Sequence, residues 1–236
     1  MALNVICSLK MRMGCTINED FPDNFFFCLF SCNTKEPVKI ETPPIEEKVI
    51  EYNYVYEINE ISEQDLFHCC CDKEIKDLVP LLSVKVSFIN IEGKTEKGEL
   101  IVHQEIAEEV VDIFRDIYDC RFPIVKMIPI DFYECNDDKS MEDNNTSCFN
   151  YRTVSGSRKL SDHSFGKAID INPLFNPFVK RRKVIPENGE KYKDREIKQD
   201  GIIQKNDCVV NAFKSRGWYW GGDWKYEKDY QHFYKY

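Results

Sequence analysis

The sequence predicts an α+β domain, a small antiparallel sheet with flanking helices, preceded by a poorly structured N-terminal tether. Three observations carry this. Apolar residues alternate at Val84, Val86 and Phe88, and a second apolar run at Leu100 to Val102 follows a turn at Gly93, the pattern of a hairpin with one buried face. "QEIAEEVVDIFRDIYDC" then sets Ile106, Val110, Phe114 and Ile117 on one face and acids on the other, the period of an amphipathic helix packed on that sheet. Residues 1–48 hold one short apolar run and a proline-marked stretch at Pro37, Pro43 and Pro44, too little for a packed unit. A chain of 236 residues with 42% hydrophobic content can bury one substantial core.

At the N-terminus, "NFFFCLFSC" ends in Leu29-Phe30-Ser31-Cys32, which resembles a bacterial lipobox whose cysteine carries the lipid. The polar "NTKEPVKIETPPIEEK" after it suits a tether. The expectation is a cell-envelope protein, lipid-anchored through Cys32. The acidic "NEDFPDN" before the run departs from a basic signal-peptide start, and the alternative is a small buried strand. Residues 49–80 read as a charged, mildly helical connecting segment.

The main domain is expected over residues 81–236. After the hairpin and helix, "FPIVKMIPID" supplies another strand. "ECNDDKSMEDNNTSCFNYR" is polar and rich in Asn and Asp, so it reads as a long loop, the kind of segment that tends to carry function. "AIDIN" is a strand, and a charged stretch runs to about Lys205. A short helix at Cys208 to Ser215 and an aromatic end, "RGWYWGGDWKYEKDYQHFYKY", complete the chain.

A net charge of −9 argues against a nucleic-acid partner, because phosphate binding needs a basic surface. The one basic run, "KRRK" at Lys180 to Lys183, reads as a solvated loop. Eleven cysteines at irregular spacing define no disulfide framework, and "HCCCD" at His68 to Asp72 lacks the C-x-x-C spacing of a zinc site. No segment reaches the ~20 apolar residues of a membrane-spanning helix. A monomer is expected.

Of the four histidines, His68 sits in the cysteine run and His103 ends a strand, where a structural role is expected. His163 lies seven positions before Asp170 in "SDHSFGKAID", a spacing at which neither helix nor strand brings both onto one point. Gly166 permits a bend that folds the histidine back over the strand holding the aspartate. With His232, the pair becomes two imidazoles and one carboxylate, a donor set suited to a catalytic zinc with an open position. Asp229, three residues before His232, can reach the same cavity without being a ligand; the bland alternative is an exposed acid beside a core histidine.

"SDHSFGKAID" and "DYQHF" together resemble the two motifs of the D-alanyl-D-alanine carboxypeptidase-like zinc peptidases, in the same order and separation. The resemblance extends over roughly Leu81 to Tyr236 and includes "GELIVH", "NNTSCFNYR", "AIDINPLFNP" and "GWYWGGDW". It implies that His163, Asp170 and His232 bind zinc and that Asp229 is the general base. It further implies that Arg152 steadies the scissile carbonyl or developing oxyanion and that Ser161 contacts substrate. The implied substrates are peptidoglycan peptides, cut as by a D,D-carboxypeptidase, a D,D-dipeptidase or an L-alanyl-D-glutamate endopeptidase. Tyr234 departs from the family, whose members commonly have Glu after His-Phe, usually a support for a ligand. Two rivals stand: a non-catalytic cell-wall peptide binding module retaining the fold, and a structural zinc protein, for which the motif lacks a fourth ligand.

Overall fold

The computed structural model describes residues 53–61 and 79–236. The tether at 1–48, Cys32, the His68 to Asp72 run and most of 49–80 lie outside the described residues.

Strands β1 (Tyr56–Glu60), β2 (Leu81–Ile89) and β3 (Thr95–His103) form an antiparallel sheet in that order. The expected hairpin is β2–β3, with Leu81 opposite His103 and Ile89 opposite Thr95. β1 corrects the helical reading of 49–80: Tyr56 pairs with Val86 and Glu60 with Leu82, so the sheet begins upstream of Leu81. Only Ile58 of β1 is even half-buried, so its apolar pattern is too weak to announce a strand, and hydrogen bonding to β2 decides its conformation.

Helix α1 (Ala107–Asp119) follows a 3-10 turn at Gln104–Ile106. His103 caps that turn, its Nδ1 accepting from Glu105 N at 3.2 Å, which is the structural role expected of it. Ile106, Val110, Phe114 and Ile117 are all buried, packing against β2 and α3 (Cys208–Lys214). A disulfide between Cys120 and Cys208 joins the end of α1 to the start of α3.

The polar stretch after "FPIVKMIPID" is not the uninterrupted loop expected. It contains α2 (Asp137–Glu142), and β4 (Lys126–Met127) pairs in parallel with β5 (Asn145–Thr146). The Asn and Asp content is itself the helix start: Asn136 accepts from Lys139 N at 2.9 Å, and Asp137 and Asp138 occupy the first turn, where negative charge is favoured.

The remaining strands make two further sheets. One has the order β6 (Ala168–Asp170), β11 (His232–Tyr234), β9 (Tyr219–Trp220); the other has β10 (Lys228–Asp229), β7 (Phe178–Lys180), β8 (Lys183–Ile185). The basic run is exposed, as expected of a solvated loop, but it spans the tight turn of the β7–β8 hairpin.

Ile169 pairs with Phe233 across β6 and β11, and both are fully buried in the same core as Phe114 and Phe213; the Phe213 and Phe233 rings stack at 4.0 Å. Because strand side chains alternate, burying Ile169 and Phe233 turns their neighbours Asp170 and His232 to the opposite face.

A 3-10 turn at Asp162–Phe165 precedes β6 and closes at Gly166, whose φ is 64°. A Cβ at Gly166 would lie 2.6 Å from His103 N, so both the left-handed backbone and the close approach to β3 require glycine. Gly166→Ala should destabilise the fold by about 1–3 kcal/mol. Denaturant unfolding of the full chain checks this, and a variant as stable as wild type would remove the constraint.

Candidate metal centre

Asp170 and His232 are direct partners in the β6–β11 register. Opposed residues of an antiparallel pair hold their side chains together on one face, and Asp170 Oδ1 lies 2.9 Å from His232 Nδ1. His163 arrives from the 3-10 turn. Ser161 caps this turn, its hydroxyl accepting from His163 N, and the His163 carbonyl accepts from Asn150 N and Gly166 N. His163 Nε2 stands 3.2 Å from Asp170 Oδ2 and 3.2 Å from His232 Nδ1. The three side chains are buried.

This triangle fits a metal ion. Donors at ~2.0–2.1 Å from a tetrahedral ion stand about 3.3 Å from one another; the two imidazoles are 3.2 Å apart, each faces a different oxygen of Asp170, and with one donor atom per residue the three lie within 4.8 Å of one another. The tautomer agrees: His163 Nδ1 lies 2.6 Å from the Cys148 carbonyl oxygen, which can only accept, so Nδ1 carries a proton and Nε2 is the ring nitrogen left to face Asp170 and His232. Burial alone would raise the Asp170 carboxyl, but His163 and His232 hold it well below the usual carboxylate range. Burial opposes charging of His232, and the Asp170 carboxylate outweighs burial and raises its pKa. The pocket therefore already favours a cation beside Asp170.

Asp229 closes the arrangement. It sits on β10, opposite Phe178 of β7, and Gly221 makes room for it, since a Cβ there would lie 2.6 Å from the Asp229 carbonyl oxygen. Its Oδ1 is buried without a hydrogen-bond partner. Burial pushes its carboxyl up to about 6, with His232 pulling it down and Asp170 adding to the rise. A buried carboxylate oxygen with no donor is costly unless something arrives to bond it. The reading of Asp229 as a plain exposed acid is thereby excluded.

All six residues singled out from the sequence line one cavity of about 690 Å³: Arg152, Ser161, His163, Asp170, Asp229 and His232. Arg152 is fixed at its backbone by Ser164, whose hydroxyl accepts from Arg152 N at 3.0 Å and donates to Arg152 O at 2.6 Å. Its guanidinium Nε lies 3.0 Å from Asp137 Oδ2, an ion pair too bent to be a hydrogen bond. Asn150 Nδ2 donates to the other oxygen of Asp137 at 3.0 Å. Sequence reasoning missed Asp137, which belongs to a helix read as loop.

Tyr234, the departure from the family pattern, stacks on the His232 ring at 5.3 Å and 23°, and Trp224 Nε1 donates to its hydroxyl at 3.2 Å. At position 234, ring packing adds to the Asp170 contact in steadying this histidine.

Among the described residues, no helix is long and apolar enough to cross a membrane. No curated protein and no solved structure matches the chain. Residues 155–235, which span both motifs and all six strands of the two C-terminal sheets, match the family model described as D-alanyl-D-alanine carboxypeptidase, and the resemblance carried by His163, Asp170, Asp229 and His232 is to that family.

Proposed function

We propose that the chain is a zinc-dependent peptidase that hydrolyses peptide bonds in peptidoglycan stem peptides, of D,D-carboxypeptidase or L-alanyl-D-glutamate endopeptidase type. The observation that carries this is the triangle of His163, Asp170 and His232 beside the Asp229 carboxylate, whose buried Oδ1 has no hydrogen-bond partner, in one cavity. A zinc ion held by the triangle supplies a Lewis acid that polarises a carbonyl and acidifies water. Asp229, within the same cavity, takes the proton from the attacking water and returns it to the leaving amine. Arg152 supports the scissile carbonyl oxygen as negative charge gathers on it, with Asp137 holding the guanidinium from behind. Ser161 caps the turn carrying His163 and borders the substrate. A binding module without catalysis has no use for a buried, unsatisfied carboxylate oxygen at Asp229, and that atom favours the enzyme.

The purified full chain should bind one zinc ion, and His163→Ala or His232→Ala should lose both metal and activity. Asp229→Asn should keep zinc while turnover of stem peptides falls by roughly two to four orders of magnitude. Metal analysis and product mass spectrometry check both. Full zinc occupancy in either histidine variant would sink the site, and peptide binding with no product at any zinc level would turn the reading to a binding module.

Arg152→Lys should not rescue function, because one ammonium cannot reproduce the planar fork of a guanidinium. The loss should fall on kcat with KM nearly kept, since the contact strengthens only as charge develops on the oxygen. Unchanged kcat and KM would remove Arg152 from the chemistry.

We further propose a cell-envelope location with lipid anchoring at Cys32. Tethering keeps an enzyme near an insoluble substrate. Mass spectrometry of the mature N-terminus from the native host should find an acylated Cys32; an intact, unmodified Met1 in the soluble fraction would defeat the proposal.

A further inference from the structure

Gln231 stands inside the second motif, between Asp229 and His232, and the chemistry above leaves it without a task. The chain bends at 230–231, after β10 has ended and before β11 begins. That bend breaks strand alternation, so Asp229, Gln231 and His232 all line the one cavity. The Gln231 backbone is tied to the residue that follows β6, its carbonyl accepting from Ile171 N at 3.0 Å. The side chain therefore starts from a place set by the same pairing that sets Asp170 and His232.

The amide is 3% exposed and poorly served. Its Nε2 donates to Met141 Sδ of α2 at 3.8 Å, a weak bond, because a thioether is a poor acceptor. Burial raises the Asp229 carboxyl and the His232 charge lowers it, and a hydrogen bond from Gln231 lowers it further. Sulfur and carboxylate both accept, so both contacts take the amide nitrogen. The oxygen is left over: Oε1 is buried and has no hydrogen-bond partner among the described residues.

A glutamine is a costly choice for such a place. Met or Leu would fill a similar volume beside Met141 with no polar atom to desolvate, whereas an amide oxygen buried without a donor loses the hydrogen bonds it had in water. An acceptor so placed at a cavity wall calls for a donor from a ligand. The terminal torsion of a glutamine is broad, so the amide can turn its oxygen to a donor that enters the cavity.

The donor that fits is neutral. An ammonium brought this near Asp229 would pair with that carboxylate and take it from the attacking water. A peptide N–H carries no charge, needs an acceptor once it leaves water, and leaves Asp229 free. Gln231 is two positions from Asp229, at most about 7.6 Å between Cα atoms, so the N–H belongs within about two residues of the bond that is cut.

We propose that Gln231 is a substrate-binding residue whose Oε1 accepts a backbone N–H of the peptide close to the cleaved bond, so that it reads the main chain and not a side chain. This rests on the peptidase reading and deepens it.

Calorimetric titration of the metal-free full chain tests it apart from catalysis. The probes are a stem pentapeptide and its ester analogues, in which one amide N–H at a time is replaced by oxygen. Wild type should bind one analogue about tenfold more weakly than the parent, the worth of one hydrogen bond to a buried acceptor. Gln231→Met should bind the parent more weakly by about the same factor, and the ester difference at that position should vanish. Gln231→Leu is carried in parallel as a second apolar variant, and the wild-type scan stands without either. Equal binding of the parent and every ester by wild type overturns the proposal. So does undetectable binding of the parent, or an ester penalty that persists in the apolar variants at every affected position. Hydrolysis with zinc is measured separately on the parent peptide. No cleavage together with a Gln231-dependent ester penalty would leave the contact standing and remove the peptidase reading, whereas cleavage without that penalty would do the reverse.

Discussion

The antiparallel register of β6 and β11 is the constraint on which the rest of the centre depends. It sets Ile169 against Phe233 and, one step along, Asp170 against His232. Alternation then forces a division of labour: the apolar pair enters the core and the polar pair turns to the cavity. A slip of one residue would turn Asp170 and His232 into the apolar core and Phe233 towards the cavity. The core that stabilises the domain and the register that builds the site are one arrangement, so hydrophobic burial of Phe233, stacked on Phe213, holds the donor atoms in place.

The third donor is secured differently. His163 sits on a short turn, and its orientation comes from backbone groups: the Cys148 carbonyl fixes the ring's proton and Asn150 N bonds the His163 carbonyl. This matters because a triangle of buried polar groups is costly on its own. Asp170 is ionised against its burial only because two imidazoles face it. Without firm backbone anchors, repulsion and desolvation would spread the three donors; with them, the donor atoms stay within 4.8 Å of one another.

The parts of this arrangement legible in the sequence were those encoded locally. The β2–β3 hairpin and α1 showed because their apolar residues recur at strand and helix periods with one face buried. His163, Asp170, Asp229 and His232 showed because each pair lies within a short motif, with glycine and alanine where the chain must turn. β1 was not legible: its single half-buried residue leaves no period to read, and only pairing with β2 makes it a strand. α2 was misread because a run of Asn and Asp suits both a loop and a capped helix start, and the buried Ser140 and Met141 that distinguish them depend on tertiary packing. Asp137 was invisible for the same reason. It stands fifteen positions before Arg152, and nothing local signals that a helix will carry it to the guanidinium.

The elements that hold the His163, Asp170 and His232 trio differ in kind from those that form the rest of the cavity wall. His163, Asp170 and His232 rest on core strands and a backbone-anchored turn, and they lie within the stretch matching the family model. Arg152 and Asp137 lie before that stretch, on a loop and a short helix, and the Lys180 to Lys183 cations stand on an exposed turn. Changes at those surface elements cost little core packing, because few buried apolar contacts depend on them, whereas the donor triangle cannot move without the register moving too. Tyr234 sits at the boundary between these regimes. It stands where the resemblance leads to the expectation of an acid, yet keeps His232 supported by stacking and by the Trp224 bond to its hydroxyl. What the position demands is a rigid neighbour for the imidazole, and an aromatic ring anchored by a tryptophan meets that demand without adding negative charge to a site that already holds Asp170 and Asp229.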